Sequence, residues 1–229
     1  MKKVLIMAAA LVIAGAMLPL SVAKFKSYDR TVDVKGLCER EVKADKVIWP
    51  LTYKVVGDDL ASVISETERN NRTIVDFLVK GGIPEDQISV AAPGISDKFA
   101  SEYGNNDRLY RYLSTSVITV CTEKIDEVLA LMAGQSELMK KGITFASNDW
   151  ENQTQFRFEA LNDIKPEMIE EATANAREAA RKFSKDSGSR IGKIKTATQG
   201  TFSIEDRDSN TPQIKKVRVV TYVTYYIKN

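Results

Sequence analysis

Two cysteines, Cys38 and Cys121, and a complete absence of histidine set the limits of the chemistry open to this chain of 229 residues. Without an imidazole, histidine-dependent triads, proton shuttles at neutral pH and most zinc sites are excluded. Two thiols fall short of a four-ligand zinc set, and a Cys-His nucleophile pair has no histidine to draw on. For Cys38 and Cys121 there remain a disulfide, which an oxidising compartment permits, or two half-buried thiols packing on strands as small apolar groups. Spacing alone does not tell whether their Cα atoms come within bridging distance.

Other constellations fail on position. Asp206, Asp208 and Asn210 alternate as at the start of an EF-hand loop. The places that need Gly and Glu hold Thr211 and Val217, and Pro212 intrudes, so the segment reads as a polar hairpin loop. Gly188, Gly192 and Lys193 approach a phosphate-binding loop but are one residue short, with Ile194 where a hydroxyl is required. That segment follows a predicted helix and reads as its stop. Glu170 and Glu171 read as solvated carboxylates on the outer face of the same helix. Asn71-Arg72-Thr73 and Asn152-Gln153-Thr154 fit the glycosylation pattern, the first within a predicted helix. No catalytic, metal-ligating or cofactor-binding set emerges. Arg218, Tyr222, Tyr225 and Tyr226 lie on the last predicted strand. On one face such side chains anchor an interface, or simply cover a sheet. The loop 97–107 reads as a partner contact or a solvated connection.

The elements that must hold these residues follow from periodicity. Residues 31–37 alternate, with Val32, Val34 and Gly36 on one face and Thr31, Asp33 and Lys35 on the other. Residues 47–56 do the same, and Pro50 predicts an edge position or a bulge. Leu60, Val63, Ile64, Thr67, Asn71, Ile74, Val75 and Leu78 mark a helix, capped by Asp58 or Asp59 and ended by Gly81-Gly82. Strands follow over 87–92 and 109–121, then a helix through Ile125, Val128, Leu129 and Met132, and a strand opening at 143–145. Residues 155–161 alternate. A helix starting near Pro166 then buries Ile169, Ala172, Ala176, Ala179, Ala180 and Phe183. Strands over 194–202 and 216–227 close the chain. The order, roughly ββαββαββαββ, predicts an α+β fold with mostly antiparallel sheets packed by about three amphipathic helices, in one domain or two α+β halves.

Lys2 and Lys3 precede an uncharged run over residues 4–23, the pattern of an export signal. Ser21 and Ala23 suit cleavage after residue 23, while a run of about 20 residues is also long enough for a membrane anchor. Residues 1–23 are therefore expected to be a signal peptide or signal-anchor, and 24–229 a domain on the far side of the membrane. Two of the 33 basic residues and none of the 31 acidic ones lie in that segment, so the exported part is neutral. A neutral domain lacks the basic excess that nucleic-acid binding needs.

The stretches VDVKGLCEREVKADKVIW (32–49), GGIPEDQISV (81–90), YRYLSTSVITV (110–120) and KKGITFASNDW through EALNDIKPEMIEEATANAREAARKFSKDSGSRIGKI (140–194) frame nearly all of the exported part. In that order they resemble the SIMPL-domain family, the YggE-like periplasmic proteins of bacteria. The most characteristic piece is the helix with Ala172, Ala176, Arg177, Ala179 and Ala180, followed by Gly188, Gly192 and Ile194. The resemblance implies a SIMPL-like α+β fold in the cell envelope, no established enzymatic activity or cofactor, a link to oxidative-stress defence and a homo-oligomer. It supplies no catalytic residues to carry across. The expected function is a non-enzymatic, self-associating envelope protein that meets the membrane only through a retained anchor. The alternative is a small-ligand-binding module or enzyme with a cleft between two halves.

Overall fold

The computed structural model describes residues 30–100, 109–146 and 152–228, together with the single position Gly15. The rest of the predicted export segment and most of the loop 97–107 lie outside the described residues. The first elements are β1 (Thr31–Lys43), β2 (Lys46–Gly57), α1 (Leu60–Lys80), a 3-10 turn (Glu85–Gln87), β3 (Ile88–Val90), β4 (Gly94–Asp97) and β5 (Tyr112–Thr122). Then come α2 (Ile125–Ala133), α3 (Ser136–Met139), β6 (Gln155–Arg157), α4 (Leu161–Asp186), β7 (Arg190–Gln199), β8 (Ser203–Asp206) and β9 (Ile214–Lys228). One sheet runs β1-β9-β7 with β8 also on β9, and the other runs β3-β5-β2-β6 with β4 also on β5. Helices and antiparallel sheets make the protein α+β, as expected. Among the described residues no helix is long and apolar enough to cross a membrane.

The chain forms two compact units. Unit 1 comprises Met1–Arg40, Asn162–Ile204 and Lys216–Asn229, and unit 2 comprises Glu41–Leu161 and Glu205–Lys215.

In unit 2 the alternation of β2 buries Val47, Trp49, Leu51, Tyr53 and Val55 against α1 and α2. The Asp59 carboxylate caps α1, accepting from the Ser62 N–H at 2.8 Å, and Gly82 ends the helix at φ +94°. Pro50 lies in an inner strand, paired with Thr119 in unbroken register. The expected edge or bulge is corrected by strand geometry. The Thr52 carbonyl accepts from Ala146 N–H, so even-numbered residues of β2 turn their backbone groups away from β5. On that side β6 pairs only with residues 46–48, and no ladder partner asks Pro50 for a proton.

Three further expectations shift. The strand read over 155–161 stops at Arg157, because the Asp45 carboxylate takes the N–H groups of Glu159 and Ala160 (2.8 and 2.7 Å) and turns the chain into α4. Pro166 is then the sixth residue of α4 and removes one intrahelical bond. The strand at 143–145 reduces to one bridge, Phe145 with Tyr53. Within the polar stretch before β5, β4 pairs Gly94 to Asp97 with Thr115 to Tyr112, held by the paired Asp97 and Arg111 side chains. Its sequence, with one apolar residue in four, carries no alternation to reveal it.

Candidate functional site

Among the described residues of unit 1, one helix covers one face of the sheet and leaves the other bare. The residues of β1 that face α4 are Val34, Gly36 and Cys38. At Gly36 any Cβ would lie 1.8 Å from the Ala172 carbonyl oxygen, so the helix backbone rests directly on the strand. Only small side chains fit along that line, and Ala172, Ala176, Ala180 and Ser184 follow it at steps of four behind Met168. Phe183, expected in the buried stripe, falls off the line and is 61% exposed.

The bare face carries the other parity of each strand. On β9 these are Arg218, Val220, Tyr222, Thr224 and Tyr226, and Thr196 and Thr198 of β7 pair beside Thr224 and Tyr222. Lys35 sits over the Tyr222 ring at 5.2 Å and Lys195 over the Tyr226 ring at 5.5 Å. Across the sheet the Thr224 hydroxyl donates to Asp33 at 2.6 Å, and Lys216 pairs with Glu39 at 2.7 Å. Tyr222 is 45% exposed, Arg218 is exposed and Tyr226 is half-buried. Three of the four residues singled out on the last strand therefore share one open face. Tyr225 does not: period two turns it toward α4, where it packs with Val34, Ala176, Ala180 and Val223 and is 3% exposed. Its hydroxyl has no hydrogen-bond partner. Lys35 and Lys195 complete the face. The alternation of β1 already marks Lys35, whereas Lys195 is brought over Tyr226 by a register shift in β7 that sequence does not announce.

Both cysteines are free thiols. Cys38, 1% exposed, lies on the α4 side of β1 beside Glu171, and Cys121 is exposed on β5. Burial first, and then the Glu171 carboxylate, push the Cys38 thiol up, so it stays protonated at neutral pH and is a poor nucleophile. The thiol and the Arg40 guanidinium together hold Glu171 below the usual carboxylate range. Arg40 also spans one turn of α4, reaching Glu167 at 2.8 Å and Glu171 at 3.2 Å. This group joins helix to strand.

In unit 2 a shallow depression of about 400 Å³ lies at the end of α1, lined among others by Asp76, Phe77, Lys80, Glu137 and Lys141. Two charges of each sign give it no net preference. Among the described residues no group of three or more metal-ligating side chains converges. Asp206 pairs with Lys215, and Asp208 is closed into its turn by Thr211, Arg207 and the Asn210 N–H, so both carboxylates are spent on the hairpin. Asn71 lies 2.8 Å from the buried Tyr53 hydroxyl and accepts from Ser116 at 2.9 Å, which ties it into the helix-sheet contact.

A family model, SIMPL, described as a protein of unknown function (DUF541), matches residues 32–225. No curated protein matches the chain.

Proposed function

The chain belongs to the SIMPL family, and on that premise we propose that it is a non-enzymatic cell-envelope protein that associates with copies of itself and serves in envelope or oxidative-stress defence. One observation carries the self-association: a sheet face in unit 1 that is open among the described residues, with Arg218 and Tyr222 exposed and Tyr226 half-buried. Tyrosine and arginine are the side chains that most often anchor protein interfaces. The strand at its margin, β7, is exposed along most of its length, but Arg190, Lys193 and Lys195 guard it. Edge lysines and arginines discourage indiscriminate strand addition, which favours association through the face.

Light scattering on the exported chain tests this reading. A defined oligomer at micromolar concentration is expected, and a strict monomer overturns it. The basic residues and apolar run at the N-terminus support the envelope location. Fractionation and N-terminal sequencing of the protein from its own cells check it, with residue 24 as the first residue or the intact run in a membrane fraction. The defensive role rests on the family likeness. Cells lacking the chain are expected to survive peroxide less well than cells given it back, and equal survival removes that part.

A further inference from the structure

The two units carry opposite charge. Unit 1 holds 18 Lys and Arg against 9 Asp and Glu, a balance of +9, and unit 2 holds 15 against 22, a balance of −7. Without Lys2 and Lys3 unit 1 stands at 16 against 9, or +7, so the neutrality of the exported chain conceals two charged units that cancel. Long-range attraction between molecules depends on such patches and not on the net charge.

In unit 1 the open face gathers part of this excess. Lys35 lies over Tyr222 and Lys195 over Tyr226, Arg218 is exposed further along the same face of β9, and the carboxylates there, Asp33 and Glu39, are engaged by Thr224 and Lys216. In unit 2 the exposed residues Glu85, Asp86, Glu123 and Glu127 gather at one end. The pairing of Ile88 with Val120 and Ser89 with Thr119 brings residues 85–86 alongside 122–123. Glu127 lies beside Gly82, Lys124 is bound to the Gly82 carbonyl at 2.8 Å, and the neighbouring Lys43 and Lys46 are engaged by Asp126 and Glu159.

We propose that the open face of unit 1 docks on the acidic Glu85–Glu127 end of unit 2 in a second copy, so that copies join head to tail. This rests on the self-association reading and gives it a direction. A two-fold contact of the open face with itself would set one basic patch of Lys35, Lys195 and Arg218 against a second such patch, a like-charge arrangement that interfaces avoid. A head-to-tail contact pairs opposite charges at every junction, and a repeated contact of this kind closes into a ring or runs on as a filament. The tyrosines supply the apolar contact and the charges supply orientation and salt sensitivity.

The full chain in mild detergent, followed by light scattering, decides the matter. Wild-type association should weaken as salt rises from ~0.05 M to ~0.5 M. Two reversals, Lys195→Glu with Arg218→Glu and Glu85→Lys with Asp86→Lys, should each weaken association roughly tenfold or more. An equimolar mixture of the two variants should recover the assembly, because each then offers the partner the other needs. Recovery also shows that both variants are folded. Assembly indifferent to both reversals, or lost and not recovered on mixing, overturns the head-to-tail contact while leaving self-association standing. A wild-type chain that remains monomeric at low salt removes self-association itself. Heparin serves as a second probe: if the Lys195 and Arg218 reversal abolishes heparin retention but leaves assembly intact, the face serves an anionic polymer and the proposal falls.

Discussion

In unit 1 helix and sheet meet through Gly36, Ala172, Ala176 and Ala180, whereas in unit 2 α1 and α2 meet their sheet through Trp49, Leu51, Ile74 and Leu78. The first contact is held by closeness, backbone nearly on backbone, and the second by the volume of apolar side chain removed from water. A contact of closeness tolerates no added atom. A contact of volume tolerates no lost one. The difference extends outward, since unit 1 keeps one face of its sheet open and basic, and unit 2 is acidic.

The largest effect should come from removing volume in unit 2. Leu78 is fully buried, and Leu78→Ala should cost about 2–5 kcal/mol. Trp49, 3% exposed, lies in the core of unit 2, so its fluorescence during denaturant unfolding reports on that unit. A loss under ~1 kcal/mol would show that the site collapses freely and that volume is not what holds unit 2.

Unit 1 should respond to the opposite change. A strand glycine replaced by alanine ordinarily gains stability, because the unfolded chain loses freedom and the strand gains a side chain. At Gly36 the added methyl meets the Ala172 carbonyl, so Gly36→Ala should instead destabilise unit 1 by about 1–3 kcal/mol. Hydrogen exchange along α4 is the measurement, and exchange that stays unchanged or slows in the variant would refute the close approach.

These two positions also show what could be read in advance. Leu78 announces itself through its helical period, as do the alternation of β2 and the Asp59 cap, because each signal lies within a few residues of the feature it specifies. Gly36 reads only as a weak strand position. Its meaning depends on Ala172, far along the chain, and on a helix whose buried line runs to Ser184 and leaves Phe183 outside. Tyr225 is an intermediate case: Val217, Val219 and Val223 fix the phase of β9 and so assign it to the buried side, but the cluster of tyrosines draws the eye to all three together. The charge division could not be seen along the chain at all, since both units are assembled from separated segments.

A pair of buried tyrosines refines the contrast further. The Tyr53 hydroxyl in unit 2 donates to the Thr67 carbonyl at 2.7 Å, and the Tyr225 hydroxyl in unit 1 has no partner. Tyr53→Phe leaves a buried carbonyl without its donor and should cost about 1–2 kcal/mol, read by fluorescence. Tyr225→Phe removes a desolvated hydroxyl that gains nothing in return, and should be neutral or stabilising by up to ~1 kcal/mol, read by exchange along α4. Equal losses at the two positions would mean that Tyr225 does find a partner in solution.

The smallest effect, and the most selective, is expected from acid. Asp208 is held down to about 2, by the Thr211 hydroxyl first and then by Arg207. A carboxyl depressed in the folded state lends stability above its unfolded pKa, near 4, and withdraws it as the pH falls through the folded value. The window for Asp208 is therefore from about pH 4 down to about 2. Asp59 and Asp97, lowered by Ser62 and Arg111 respectively, act in the same direction within unit 2, against Glu171 alone among the described residues of unit 1. Acid should consequently weaken the tryptophan-reported transition of unit 2 before it loosens α4. Because Asp208 is exposed, water and salt screen its share, and only the difference between variants isolates it. Asp208→Asn should show a smaller drop in denaturant midpoint than wild type between pH 5 and pH 2.5. Parallel drops would mean that Asp208 titrates alike in the folded and unfolded chain, and that its turn contributes no more to unit 2's stability than any solvated loop.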